Sequence, residues 1–482
     1  MSLINNISYL ILSILILSCH SQPKTSRTYA DIDSVFTRGD LTMATQLADS
    51  LLRMGQVDSL TAAKLNSMVD LAARIKADFT LSGPDFEILL KRELGAFSSS
   101  DRENWEHNNW LEYKIIDGKK HYFKRAVSNL KLILESKQPI RERDQRIGND
   151  PQSLFCLENS RKVIRSAEAD GKPLLPVKMK ITYTLTVNPD AVPDGELLRC
   201  WLPWPHENHN RQSNVKLVNT VPDRHFIAPD TVEQRSLYLE QMAVKGKPTI
   251  FELQFEYVSR AQYFDPDMLK ISAVDTTTAI FKKFTAEQYP QILFTNDIKR
   301  LSDSIVMGVS NPVEKVRKIY YWINDYIIWT GALEYSIIPF IPGYVLANKR
   351  GDCGMQTLLF MTMARYQHIP VKWQSGWMMH PHAVNLHDWC EVYYDGTGWV
   401  PLDMSFNLQK SGDIREKEFY ISGIDAYRLI VNDGIGSRLV PVKKYPRSEP
   451  FDFQRGEVEW RGGNLYFSQW DYHMEVEYLG LN

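Results

Sequence analysis

Cysteine is scarce in this chain, with five residues in 482 and no C-x-x-C pair among them. That scarcity argues against a zinc knuckle or a dithiol redox motif. An excess of charge of one sign is also lacking. The formal net charge is −2, and no run of Lys and Arg interleaves with aromatics. There is thus no electrostatic reason to expect a nucleic-acid partner. Long apolar runs are missing too. The stretch Tyr9 to Leu17 (YLILSILIL) is too short to cross a bilayer core of about 30 Å as a helix. No internal repeat is detectable.

What is present describes a folded protein of several parts. Hydrophobic residues make up 44% and charged residues 24%, the balance of an ordered chain. Its length predicts two to four domains. Tyr9 to Leu17 has the length of a signal-peptide core. It ends in Ile16-Leu17-Ser18-Cys19, which resembles the lipobox of bacterial lipoproteins. That resemblance implies a signal peptide at 1–18, a lipid on Cys19 and a polar tether from His20 to Thr28. The expected location is the cell envelope, anchored to the membrane outside the cytoplasm; an uncleaved short anchor is the alternative. Four other cysteines remain: Cys156, Cys200, Cys353 and Cys390. An oxidising compartment would permit a Cys156–Cys200 disulfide.

The hydrophobic period changes along the chain. Residues 19–170 read as a helical region: Leu41, Ala44, Ala48, Leu51 and Leu52 recur at helical spacing, as do Leu65, Met68, Val69 and Ala72. From Pro176 the period is two. Met179, Ile181, Tyr183, Leu185 and Val187 alternate with polar residues, and 175–262 reads as an antiparallel β-sandwich closed in part by Pro203-Trp204-Pro205. Residues 270–445 mix both periods, with Pro312 placed as the first residue of a helix. A C-terminal β extension, with a hairpin at Gly462-Gly463, is expected over 446–482. The fold class is therefore α+β.

The chemistry concentrates between Lys349 and Asn407. Cys353 follows a turn-like segment and opens a helix reaching about Tyr366. A thiol at a helix start has its thiolate favoured by the dipole and the unpaired N–H groups. His387 lies on a strand that runs to Tyr394, and Asp403 ends the strand that returns after Asp395-Gly396-Thr397. A three-residue loop sets Tyr394 opposite Gly398 and His387 opposite Ser405, with Asp403 a diagonal neighbour on the same face. A two-residue turn would send Asp403 to the other face. His380, His382, His387 and Cys390 are close in sequence, but His387 and Cys390 point to opposite faces of a strand, which disfavours a shared metal.

Gly351-Asp352-Cys353-Gly354, His368-Ile369-Pro370-Val371 and Ser375-Gly376-Trp377 resemble the nucleophile helix and following strand of the transglutaminase-like superfamily. His387-Asp388-Trp389-Cys390-Glu391-Val392 resembles its histidine strand, and Gly398-Trp399-Val400-Pro401-Leu402-Asp403 its aspartate strand. The resemblance implies a papain-like core and a triad of Cys353 as nucleophile, His387 as general base and acid, and Asp403 as the residue that orients the imidazole. The backbone N–H of Cys353 suits an oxyanion hole. Trp329 or Gln356 is a candidate second donor, and Trp377 and Trp389 are candidates for lining a substrate groove. Such a triad forms a thioester with a peptide or protein substrate and needs no cofactor. Hydrolysis of a peptide or amide bond is the favoured outcome. Acyl transfer to an amine, which cross-links proteins, is the alternative; the calcium-binding elements of animal cross-linking enzymes are not recognisable. A non-catalytic envelope binding protein is a third reading. Oligomeric state is not legible in the sequence.

Overall fold

Most of the chain folds according to its period, and the caps are written locally. The computed structural model describes residues 28–55, 57–137, 150–167, 171–207, 209–381 and 383–480. The expected signal peptide, Cys19 and His382 lie outside these residues. The chain divides into two units, one up to Ala72 and one from Ala73. In the first, α1 (Tyr29–Thr37), α2 (Leu41–Arg53) and most of α3 (Ser59–Asp78) close on Ile32, Ala44, Ala48, Leu65 and Met68. A capping box starts α1. Asp31 accepts the Thr28 N–H at 2.8 Å, and Thr28 accepts the Asp31 N–H at 3.3 Å.

In the second unit, α4 (Gly83–Leu94), α5 (Ser99–His107), α6 (Ala126–Ser136) and α7 (Pro151–Ser166) continue the helical pattern. One stretch departs from it. β1 (Tyr113–Ile116) and β2 (Lys119–Tyr122) form an antiparallel hairpin inside the region expected to be helical. Asp117 and Gly118 take φ of 50° and 77°, the two-residue turn that Asp-Gly favours.

The alternating region supplies β3 (Leu174–Val187), β4 (Leu197–Pro203), β5 (Gln212–Val221), β6 (His225–Ile227), β7 (Ser236–Met242) and β8 (Thr249–Tyr263). Helices α8 (Ala279–Phe284), α9 (Asn296–Ile305) and α10 (Pro312–Tyr326) follow, then β9 (Ile328–Trp329), α11 (Ile341–Asn348) and β10 (Arg350–Gly351). Next come α12 (Cys353–Tyr366), β11 (Val371–His380), β12 (Ala383–Tyr394) and β13 (Gly398–Leu402). The chain ends with α13 (Ile414–Lys417), α14 (Phe419–Ser422), β14 (Gly423–Ile424), β15 (Arg428–Asn432), β16 (Glu457–Trp460), β17 (Gly463–Leu465) and β18 (Trp470–Leu479).

Three larger sheets result. One runs β14-β8-β3-β18 with β5 also on β8, a second runs β17-β16-β4-β7-β6, and the third runs β13-β12-β11-β15. The C-terminal strands do not stand apart. β16 and β17 make the expected hairpin, but β16 also pairs with β4, and β18 runs along β3 from Val187 to Lys178. The inward residues Met179, Ile181, Tyr183, Leu185 and Val187 fall in one hydrophobic cluster with Trp377 and Met379 of β11 and Leu429 and Val431 of β15. The third sheet is thereby locked to the first two. α12 has no polar face: every residue from Gly354 to Arg365 is buried. The mixture of helices and antiparallel sheets is the α+β class read from the sequence.

Candidate functional site

Cys353 is the first residue of α12, as the sequence predicts. Asp352 is its N-cap, accepting the Met355 N–H at 3.1 Å and the Tyr335 hydroxyl at 2.5 Å. Gly354 must be glycine for space, because a Cβ would sit 2.2 Å from the Tyr335 hydroxyl and 2.6 Å from Asp388 Oδ2.

The histidine strand has the register derived from the three-residue loop. Tyr394 faces Gly398 and Cys390 faces Leu402, which places His387 level with Ser405 just beyond the end of β13. His387 Nε2 lies 2.8 Å from Asp403 Oδ2. On the other edge His387 pairs with Gly376. A Cβ on Gly376 would lie 1.9 Å from the Leu429 carbonyl, so β11 and β15 pass too closely there for any side chain.

Asp403 is fully buried. Burial alone would raise its carboxyl, but His387 and Arg428, with the Ser405 N–H, hold it below the usual carboxylate range. An ionised carboxylate only accepts, so Nε2 carries the imidazole proton and Nδ1 is left as the basic nitrogen. Burial, with a contribution from Arg428, holds His387 below the usual imidazole value despite Asp403.

The thiol departs from expectation. Cys353 Sγ hydrogen-bonds Asp388 Oδ2 at 3.4 Å. Burial, then the charges of Asp388 and Asp352, push the thiol well above its ordinary value. Burial and the two adjacent carboxylates thus act against the helix start, which by itself favours the thiolate. Cys353, His387 and Asp388 line one cavity of about 900 Å³, to which Trp329 and Tyr335 also contribute.

The proposed groove residues divide. Trp329 borders the cavity and is 42% exposed. Gln356 is buried, its amide nitrogen committed to the Gly351 carbonyl at 3.0 Å, so it is not the second oxyanion donor. Trp377 and Trp389 line no groove. Trp377 is fully buried, stacks on Tyr183 and donates its indole N–H to the Gln454 carbonyl; Trp389 is also fully buried and donates to Gln374. Both are packing residues whose polar tips found partners. All four described cysteines are free, and Cys156 and Cys200 lie in separate hydrophobic clusters, so they form no disulfide. His380 ends β11, fully buried, with Nε2 3.1 Å from Asp425. Among the described residues no group of His, Cys, Asp and Glu could hold a metal ion.

Sequence reasoning missed several supports of the site. Gln454 donates to the His387 carbonyl at 2.9 Å and to Asp388 Oδ1 at 2.7 Å. Arg428 lies 3.1 Å from Asp403 and 2.8 Å from Asp425. Asp388 stood beside His387 inside the motif and could have been singled out; nothing local marked Gln454 or Arg428.

Residues 299–404, which hold Cys353, His387 and Asp403, are a transglutaminase-like domain, matching the model of the transglutaminase-like superfamily. No curated protein matches the chain. Among solved structures, it is similar to a candidate cysteine protease from Cytophaga hutchinsonii, at 14% identity and a TM-score of 0.44 over 64% of this chain and 93% of that one. It is also similar to the periplasmic domain of TgpA from Pseudomonas aeruginosa, at 11% identity and a TM-score of 0.25 over 52% of this chain and 90% of that one. Among the described residues no helix is long and apolar enough to cross a membrane.

Proposed function

We propose that this protein is a thiol hydrolase of the cell envelope that cleaves a peptide or amide bond through a thioester on Cys353. The observation that carries the reading is the His387–Asp403 hydrogen bond of 2.8 Å, set behind a large cavity that His387 and Cys353 both line. In this reading His387 Nδ1 takes the thiol proton as sulfur attacks the substrate carbonyl carbon. The Cys353 N–H and the Trp329 indole receive the negative charge that forms on oxygen. The tetrahedral species collapses, the C–N bond breaks, and the imidazolium returns its proton to the leaving nitrogen. Water, deprotonated by the same imidazole, then releases the acid. Asp403 fixes the tautomer and stabilises the imidazolium.

With amine in place of water the same thioester gives a cross-link. Hydrolysis is favoured because the second acceptor is then the solvent itself. A screen of peptides and peptidoglycan fragments, with and without an amine acceptor and scored by mass, decides between them. Cys353→Ala should abolish turnover with the fold intact; full activity in that variant refutes the reading. We also propose that the chain is a lipoprotein anchored through Cys19. A palmitate analogue should label the protein, and Cys19→Ala should lose the label; unlabelled soluble protein in the cytoplasm would refute the anchor.

A further inference from the structure

The bond between Cys353 and Asp388 has no place in the three-residue mechanism. Sγ of Cys353 meets Asp388 Oδ2 at 3.4 Å, and the structure shows no hydrogen bond from that sulfur to His387. Asp388 is 2% exposed. It is fixed as well as buried: Gln454 Nε2 holds its other oxygen at 2.7 Å while also holding the His387 carbonyl. Gly354, which leaves room for no side chain, lets the carboxylate approach the start of α12.

We propose that Asp388 is a fourth catalytic residue of this site, which holds the Cys353 thiol protonated and turned from His387 until substrate occupies the cavity. The inference rests on Cys353 being the nucleophile. In the resting state the proton stays on sulfur and Asp388 accepts its hydrogen bond. When substrate arrives the thiol turns to His387, and the proton passes from sulfur to Nδ1 as the S–C bond forms. Asp388 neither gains nor loses a proton across the cycle.

The surrounding charges favour this rest state. Asp352, the α12 cap, and Asp452 and Glu449 from the segment before β16 all press negative charge toward Asp388. Arg455 is taken up by Glu334 at 2.8 Å and Glu449 at 2.6 Å. Tyr335 donates to Asp352, and the charge of Asp403, bonded to His387, also bears on Asp388. A thiolate would add a negative charge to this group, whereas a thiol donates into it.

The test is the pH dependence of Cys353 alkylation by iodoacetamide in the full chain, followed by peptide mapping, which needs no substrate. In the unaltered protein the midpoint should lie above the value of about 8.5 for a free thiol. A midpoint below about 7, as in a preformed thiolate–imidazolium pair, overturns the proposal without recourse to any variant. Asp388→Asn keeps the shape and the Gln454 bond. It should lower the midpoint by about one unit or more and speed alkylation near pH 7 by about tenfold. An unchanged or higher midpoint overturns the proposal. A His387→Ala arm separates the two readings. If His387→Ala slows alkylation and Asp388→Asn does nothing, the triad stands and Asp388 has no such role. If neither variant changes the profile, both fail.

Discussion

Two Cys–His–Asp sets lie side by side in this protein, and only one has the makings of a catalytic site. In the first, His387 meets Asp403 at 2.8 Å and Cys353 opens α12. In the second, Cys156 Sγ lies 3.7 Å from His380 Nδ1, and His380 Nε2 lies 3.1 Å from Asp425. Arg428 joins them, bridging the two carboxylates. By residue type the second set is the more complete, since its thiol already faces its imidazole. It differs in position. Cys156 is in the second turn of α7, where neighbouring N–H groups are spent on the helix, so no donor pair is left for an oxyanion. Burial, then the charge of Asp425, pushes its thiol up to about 12. His380 is fully buried, with Phe155 and Phe406 against its ring. Both thiols border the same cavity, and what sets Cys353 apart is the helix start, with its unpaired N–H groups, on which it sits. A triad is thus defined by where the helix begins, not by which three side chains meet.

The widest separation of the two sets should come from their histidines. His387→Ala removes the general base and should cost about 10²–10⁴-fold in turnover, whereas His380→Ala should act through folding and leave kcat of the folded fraction near its original value. Equal losses in both variants would merge the two sets into one working unit. Asp403→Asn leaves a base in the wrong tautomer. A loss of roughly 10–10³-fold is expected, smaller than for His387→Ala, because the orienting residue acts only through the imidazole.

Arg428→Met tests the bridge. It leaves Asp403 and Asp425 buried without their shared cation and should destabilise the fold by about 3–5 kcal/mol in denaturant titration. A change below about 1 kcal/mol would show that the two carboxylates do not depend on it.

Much of the catalytic half was legible because its signals are local. The start of α12 follows from Asp352 as cap, and the strand register follows from one loop length, Asp395 to Thr397. Parity then placed His387 and Asp403 on a common face. The hairpin at Tyr113–Tyr122 was also written locally, in Asp117-Gly118, but helical periodicity on both sides obscured it. Trp377 and Trp389 flank the motif in sequence, yet parity turns Trp377 to the face opposite His387, and Trp389, on the face of His387, is covered by Ile424 and Ile430. Arg428 and Gln454 were illegible for a different reason. Each reaches the site from a later strand or loop, and the sheet order that brings β15 beside β11 is not carried by any short segment.

The smallest expected effect concerns the crowded carboxylates around Cys353. Burial, then the charge of Asp352, raises Asp388 well above the usual carboxylate value. Keeping it ionised therefore costs stability at neutral pH, and that cost is absent once pH falls below the unfolded value of about 3.9. Asp388→Asn should therefore raise the melting temperature at neutral pH, and the gain should vanish near pH 4. A lower melting temperature at both pH values would mean that the carboxylate contributes more by its hydrogen bonds than it costs by its charge.

The distinction between the two sets is tested most directly by trapping the acyl group. Once the screen yields a substrate, an acid quench during turnover and peptide mapping by mass should find the acyl adduct on Cys353 and none on Cys156. Cys156→Ala should form the same adduct, and Cys353→Ala should form none. An adduct on Cys156, or undiminished turnover in Cys353→Ala, would contradict the account.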